Sequence, residues 1–214
     1  MGKISGFDAS VIARLRAASV LDDDDARKLH AANGLIIIPC SDGDQMPDVF
    51  CHHQRLALKG GWPERFHMPS LHGGAMLMAE DCPLYREYNV DELLLQHIRE
   101  ASSPELKGIG TIVLYVHAPC GAAHLSGLTL VHQIVYLMRA KERVKEQSND
   151  QIVVCFIHVH HEDGRKCTYF ISRDKWLAFW DEEGRALWLH LFPKDPFPPQ
   201  ASKRKKFGDT QCFG

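Results

Sequence analysis

The sequence has no long apolar run and no excess of either charge. Nothing in it approaches the roughly 20 consecutive apolar residues that a membrane-spanning helix needs, so we expect no membrane partner. Lys and Arg total 25 against 27 Asp and Glu, and the net charge of -2 gives no electrostatic reason to expect binding to nucleic acid. The expected partner is therefore a small molecule or a protein.

The cysteines lack the paired spacing of a zinc ribbon. They number seven, and the first ten residues, MGKISGFDAS, contain no basic segment followed by an apolar stretch. This combination argues against export and a disulfide framework, and the cytoplasm is the expected location. We expect Cys155 to fill the core and Cys212 to be a free thiol.

The chain is long enough and apolar enough for one domain with its own core. Of its 214 residues, 45% are hydrophobic and 24% are charged, which is ordinary for a globular protein. We predict a single α/β domain over residues 1–192. Residues 193–214 contain prolines, the basic run SKRKK and terminal glycines, and we expect this tail to dock on a partner subunit or to stay mobile.

Short β-branched apolar runs alternate with segments of helical period. Strands are predicted over Leu35–Ile38, Thr111–Val116, Ile152–Val159 and Cys167–Ser172, and helices over Asn89–Ala101 and Leu128–Glu146. Strands that alternate with helices favour a parallel sheet with right-handed connections. The predicted fold is therefore α/β, with a mostly parallel central sheet flanked by helices. The last two predicted strands are expected to form an antiparallel edge hairpin.

Two segments are less regular. Ser10–Ala32 has helical apolar spacing interrupted by the acidic run Asp22–Asp25, which we interpret as a solvated N-cap between two helices. Gly43–Tyr88 shows no clean period and is predicted to be a long irregular excursion with one short helix near His53–Leu58.

Soft metal ligands follow two of the predicted strands. Cys40 comes directly after one strand, and His117-Ala118-Pro119-Cys120 comes directly after another. Because ligands gather at the carboxyl ends of parallel strands, we predict that Cys40, His117 and Cys120 bind one Zn²⁺, with the fourth position open or filled by Asp42. The alternative is that the cysteines are ordinary buried residues and that His117 is hydrogen-bonded, as either fragment alone would favour.

These fragments resemble the motifs of the β-class carbonic anhydrases. That family has Cys-x-Asp-x-Arg after its first strand and His-x-x-Cys-Gly after a later one, and PCSDGD and HAPCGAA occupy those places here in the same order. The order of elements is similar over Asn33–Ser172. The resemblance implies that Cys40, His117 and Cys120 are zinc ligands and that Asp42 is the carboxylate beside the metal.

The same resemblance implies an activity and a quaternary state. The family hydrates carbon dioxide reversibly to bicarbonate with a zinc-bound hydroxide, because bound zinc lowers the pKa of water to about 7. It also implies a homodimer with the site near the subunit interface. The expected substrate is a small molecule, carbon dioxide or bicarbonate or a similar compound.

The sequence departs from the family at Asp44, where the motif has Arg. In the family that Arg holds the Asp off the metal, so here we predict that Asp42 swings onto zinc and closes the site. Arg55 or Arg65 could replace the missing Arg from another part of the chain or from a neighbouring subunit, although surface positions are favoured for both. Pro69–Gly74 replaces the family's Arg-Asn-Ala-Gly stretch, so the substrate pocket is expected to differ.

The other histidines and the aromatic residues have simpler interpretations than a functional site. The excursion contains His52, His53, His67 and His72, for which solvated loop positions are favoured over a metal ligand or a proton shuttle. His158, His160 and His161 are interpreted as a solvent-facing stripe rather than a ligand set. The aromatic cluster is expected to seal a core or a dimer interface, and it consists of Trp176, Phe179, Trp180 and Trp188.

Three hypotheses remain open from the sequence. The first is a zinc-dependent carbonic-anhydrase-like lyase in which Asp42 governs access to the metal. The second is a zinc-binding protein of the same fold without hydratase activity. The third keeps the zinc but changes the substrate to another small electrophile.

Overall fold

A six-stranded sheet forms the centre of the molecule. The computed structural model describes residues 3–23, 29, 31–84, 90–148 and 151–198. Its strands are β1 (Leu21–Asp23), β2 (Leu35–Ile38), β3 (Phe66–His67), β4 (Thr111–Ala118), β5 (Ile152–His160) and β6 (Lys166–Ile171). They lie in the order β1-β6-β5-β4-β2-β3.

Strand direction divides the sheet into two parts. The pairs β3 with β2, β2 with β4, and β4 with β5 are parallel. The pairs β5 with β6 and β6 with β1 are antiparallel. The predicted α/β class, with a mostly parallel sheet and antiparallel strands at one end, is confirmed.

Helices cover both faces of the sheet. The α-helices are α1 (Gly6–Ala17), α2 (Met46–Gly60), α3 (Val90–Ser102), α4 (Gly121–Leu125), α5 (Leu130–Gln147), α6 (Arg173–Phe179) and α7 (Arg185–Trp188). Short 3-10 helices are found at Gly74–Met78 and Leu189–Leu191, and a π-helical turn at Trp180–Gly184. Among the described residues, no helix is long and apolar enough to span a lipid bilayer.

The larger hydrophobic core lies on the face covered by α1, α3 and α5. Ile36, Leu114 and Cys155 point into it from three neighbouring strands and are fully buried. The predicted role of Cys155 as core filler is confirmed. Trp176, Phe179, Trp180 and Trp188 extend the same core, so the aromatic cluster seals a core, as expected.

The smaller core lies on the opposite face, under α2. Ile37, Tyr115 and Phe156 point into it from the sheet, and Val49 and Leu56 from the helix. Because side chains alternate along a strand, the residues two positions after Tyr115 and Phe156 also belong to this face. This alternation places two histidines beside the carboxyl end of the sheet.

The excursion is more regular than the sequence predicted. A helix of 15 residues, α2, replaces the short helix expected near His53–Leu58, and a 3-10 helix and β3 follow it. The helical period was missed because one of its buried positions is His53, a polar residue with no exposed surface. Pro47 in the first turn and Gly61 at the C-terminal cap, with φ of 69°, mark its ends.

The interpretation of the acidic run as a helix cap was wrong for its first two residues. Asp22 and Asp23 belong to β1, because their backbone groups pair with β6. Their side chains form ion pairs at the surface, Asp22 with Lys175 and Asp23 with Arg16. Asp24 and Asp25 lie outside the described residues, as do Asn89 and Cys212.

Candidate metal centre

Cys40, His117 and Cys120 meet at the carboxyl end of the parallel strands. Cys40 lies two residues after β2, His117 is the penultimate residue of β4, and Cys120 is the residue before α4. One ligand atom of each, the two Sγ atoms and a ring nitrogen, lie within 4.8 Å of one another. All three residues are buried. The structure therefore brings together the three residues that the sequence singled out.

The imidazole of His117 is short of partners. Its exposed fraction is 4%, and neither Nδ1 nor Nε2 has a hydrogen-bond partner in the described part of the chain. A buried ring without partners is destabilising by about 1–3 kcal/mol. A cation bound through one nitrogen would remove part of that cost. Two thiols and an imidazole are the donor set that zinc prefers, so the residues present fit this metal.

The thiols of Cys40 and Cys120 are electrostatically coupled. Hydrogen bonding from Cys120 lowers the pKa of Cys40 to about 4, with smaller contributions from His117 and from the backbone N–H of Gly73. The same interaction raises the pKa of Cys120, because a thiolate at Cys40 disfavours a second one next to it. A pair that already holds one negative charge is prepared to bind a cation.

Backbone N–H groups surround the sulfur atoms. Gly73 N–H donates to Cys40 Sγ at 3.3 Å, and N–H groups of Ala122 and Ala123 favour the thiolate form of Cys120. These contacts withdraw charge from the sulfurs and so keep a bound metal more electrophilic. Gly74 can approach Cys40 only because it is glycine, since a Cβ on this residue would lie 2.6 Å from Cys40 N.

Asp42 follows Cys40 by two residues but is not part of the Cys40, His117 and Cys120 group. Its Oδ1 accepts a hydrogen bond from Asp44 N–H at 2.9 Å, so the carboxylate closes a local turn with its own loop. Within the described ranges, no Lys or Arg forms an ion pair with Asp42 or Asp44. The role of Asp42 as a fourth zinc ligand stays a prediction.

The two arginines proposed as substitutes for the motif Arg lie elsewhere in this chain. Arg55 donates to Cys51 O within α2, and Arg65 donates to Lys107 O near the opposite end of β2. Both side chains are exposed, as expected for surface arginines. Contact of either one with Asp42 from a second subunit stays a prediction.

A cavity of about 340 Å³ opens next to Cys120. Asp42, Gln45 and Gln133 contribute to its lining. The two glutamine side chains are almost completely buried, and the Oε1 atom of each has no hydrogen-bond partner in the described chain. Unsatisfied amide oxygens at a cavity wall can accept hydrogen bonds from a small polar molecule or from water.

The predicted solvent exposure of several histidines was wrong. His53 is buried under α2, where its Nε2 lies 2.8 Å from Tyr115 Oη. His158 and His160 are 3% and 7% exposed, because α2 covers that face of β5. By contrast, His72 is exposed, as predicted.

The comparisons with known proteins give one structural likeness. A solved structure of β-carbonic anhydrase isoform I from the protozoan Trichomonas vaginalis aligns with 78% of this chain and 99% of its own, at 15% sequence identity and a TM-score of 0.36. No protein-family profile and no curated protein sequence matches the chain.

Proposed function

We propose that this chain is a zinc-dependent, β-carbonic-anhydrase-like enzyme that hydrates carbon dioxide reversibly to bicarbonate. The observation that carries the proposal is the convergence of Cys40, His117 and Cys120, within 4.8 Å of one another, at the carboxyl end of a parallel sheet. The order and spacing of the motifs PCSDGD and HAPCGAA support it. Three ligands and one free position make up the arrangement of a catalytic zinc.

Each residue of the site has a distinct role in the proposal. The zinc, when bound, supplies a water of lowered pKa as the nucleophile. Cys40, His117 and Cys120 hold the ion, and Gly73 N–H reduces the charge that Cys40 Sγ donates. This hydrogen bond matters because two thiolates neutralise the metal and would otherwise weaken its effect on water.

Asp42 is proposed to govern access to the fourth position. The Asp44 N–H bond to Asp42 Oδ1 replaces the guanidinium that the motif Arg would provide. While this bond holds the carboxylate in its own loop, the position on the metal stays free for water. The cavity beside Cys120, with the buried amides of Gln45 and Gln133, is then the space for carbon dioxide and bicarbonate.

A second candidate function is a zinc-binding protein without hydratase activity. It is favoured by the negative charge of Asp44, since no basic side chain among the described residues pairs with Asp42. A carboxylate that binds the metal as a fourth protein ligand produces a closed, structural site.

The test is to measure zinc content and stopped-flow carbon dioxide hydration on the same purified sample, near neutral and at high pH. We expect about one zinc ion per chain bound by these ligands, together with hydration. Cys120→Ser should lose both. Cys51→Ser is the matched control, because Cys51 is an exposed free thiol outside the site.

The outcomes separate the two candidates. Zinc with hydration supports the enzyme, and zinc without hydration supports the closed site. A chain that binds no zinc at this site while Cys40 and Cys120 are reduced contradicts both. Equal loss of zinc in Cys51→Ser and Cys120→Ser would show that the loss reflects unfolding.

A further inference from the structure

A second cluster of side chains able to bind a metal lies next to the first, where α2 covers β5, and its His158 is the strand partner of His117. His158 and His160 alternate along β5 and point to the same side of the sheet, and Asp48 reaches them from the first turn of α2. His160 Nε2 lies 3.0 Å from His158 Nε2 and 3.1 Å from Asp48 Oδ2, and His158 Nε2 lies 3.7 Å from the same oxygen. No ligand is shared with the Cys40, His117 and Cys120 group.

The separations between these three atoms fit a shared cation. Bonds of about 2.0–2.1 Å in a tetrahedral arrangement place neighbouring ligand atoms about 3.3 Å apart. The observed distances of 3.0, 3.1 and 3.7 Å bracket that value. The two Nε2 atoms form one hydrogen bond, in which one ring donates and the other accepts. A metal ion in place of that proton could instead bind a lone pair from each ring.

A neighbouring hydroxyl holds His158 in the orientation of a ligand. Thr168 Oγ1 lies 2.8 Å from His158 Nδ1 on the adjacent strand β6. With Nδ1–H donated to that hydroxyl, Nε2 carries the lone pair that points to Asp48 and His160. This outer contact is the type that supports metal-ligating histidines.

Asp48 is the most exposed member of the cluster, with 28% of its side chain accessible, whereas both histidines are buried. A groove of about 460 Å³ is lined by Asp48, His158 and Thr168. Lys166 Nζ, on a half-exposed side chain, lies 2.7 Å from Asp48 Oδ2 and currently neutralises the carboxylate. A flexible lysine of this kind can be displaced by a doubly charged ion, because it gains little from an exposed ion pair.

We propose that Asp48, His158 and His160 form a second site for a divalent transition-metal ion. Two histidines and one carboxylate would leave further coordination positions for water or another ligand. An open site of this composition binds zinc, cobalt or ferrous ions and can accept a water or an anionic ligand from solvent. The site needs neither thiol of the first centre.

The first experiment measures bound metal after equilibration with zinc and removal of free ions. We expect about two zinc ions per chain for the unmodified protein and about one for His160→Ala or Asp48→Asn. His161→Ala is the matched control, since His161 is the next residue but contacts Tyr169 instead. A stoichiometry of one that His160→Ala leaves unchanged would overturn the proposal.

The second experiment uses cobalt as a probe and separates the two sites by their donor atoms. In the protein with Cys40→Ser and Cys120→Ser, bound cobalt should retain visible d–d bands but lack the thiolate-to-cobalt charge-transfer band. Adding His160→Ala should abolish the remaining bands. If the Cys variant is folded by circular dichroism and shows no cobalt bands, the second site does not exist. Loss of the thiolate band alone reports only on the first centre, so the failure of one site is distinguishable from that of the other.

Discussion

A single side chain, Asp44, sets the charge next to the proposed zinc position. Asp44→Arg would place a guanidinium within reach of the Asp42 carboxylate, which now has only the Asp44 N–H as a partner in the described chain. We expect the variant to raise kcat/KM for carbon dioxide hydration by about 10-fold, because an ion pair holds Asp42 off the metal more firmly than one hydrogen bond. Stopped-flow assays at equal zinc content provide the measurement.

Asp44→Asn is the control for this effect. Asp44→Asn removes the repulsion between two carboxylates without supplying a cation. Its increase in kcat/KM for carbon dioxide hydration should therefore be clearly smaller than that of Asp44→Arg. Equal increases would mean that repulsion alone matters. No increase in either variant would show that Asp42 does not govern access to the metal.

His158 makes the stability of the metal-free chain depend on pH. Burial, followed by the charge of His160, lowers the pKa of His158 to about 4 from an ordinary value of 6.5. Between these two values the unfolded chain binds a proton that the folded chain does not. Stability therefore rises with pH in this window and is lost as the pH falls from about 6.5 to about 4.

Urea denaturation in the presence of a chelator measures this dependence. Between pH 6.5 and about 4, the unfolding free energy of His158→Gln should decrease by roughly 2–3 kcal/mol less than that of the unmodified protein. His190→Gln is the control, since His190 is an exposed side chain. Curves for His158→Gln and the unmodified protein that run parallel would contradict the assignment.

Individual site residues differed in how far the sequence could predict them. Cys40, His117 and Cys120 were found because each stands at or just after the end of a β-rich run, where parallel strands collect ligands. His158 and His160 were placed on one face correctly, but alternation does not say which face is covered. Only the position of α2 shows that they are buried.

At the scale of an element, the Gly73–Gly74 turn of the excursion lies against the candidate metal centre. Gly74 has φ of 55°, and its backbone lies against Cys40 N. Gly74→Ala should destabilise the chain by about 3 kcal/mol and weaken zinc binding, because a Cβ in this position clashes with backbone rather than with a flexible side chain. Thermal unfolding and zinc titration with a chelating dye test this.

Gly61→Ala separates the clash from backbone strain. Gly61 also has a positive φ, 69°, but a Cβ there would meet nothing within 4 Å. The expected cost is about 1–2 kcal/mol with unchanged zinc affinity. If Gly74→Ala and Gly61→Ala lose equal stability and bind zinc equally well, the close approach of Gly74 to Cys40 does not contribute to zinc binding.

The sequence predicted the strands more accurately than it predicted the structure of the excursion, and helix α2 shows the reason. The runs at Leu35–Ile38 and Thr111–Val116 are uniformly apolar, so their strand character is visible without tertiary information. In α2 the buried stripe includes His53, which bonds to Tyr115 across the core. Its place in that stripe depends on a partner 62 positions away, which no local pattern contains.

At the scale of the whole molecule, the first residues of the predicted tail, 193–198, pack against the core. Trp180 Nε1 donates to Asp195 Oδ1 at 3.2 Å, and Arg139 Nη2 donates to Pro196 O at 3.0 Å. The Phe197 ring lies 6.0 Å from the Trp180 ring. These contacts predict that residues after 192, the predicted domain boundary, help to stabilise the folded domain. Residues 199–214 lie outside the described part of the chain.

Two truncations test where the folded unit ends and whether the tail joins subunits. A chain ending at Pro198 should keep the melting temperature of the full chain. One ending at Phe192 should lose about 2–4 kcal/mol, since the burial of Phe197, the hydrogen bonds from Trp180, Arg139 and Arg185, and the Arg185–Asp195 ion pair disappear. Light scattering on the same samples should give the mass of a homodimer, the state proposed by analogy with the family, for the full chain and for the chain ending at Pro198. A monomer only after removal of 199–214 would place the tail on the partner subunit. Equal stability of both truncations would mean that the Asp195, Pro196 and Phe197 contacts do not hold the fold together.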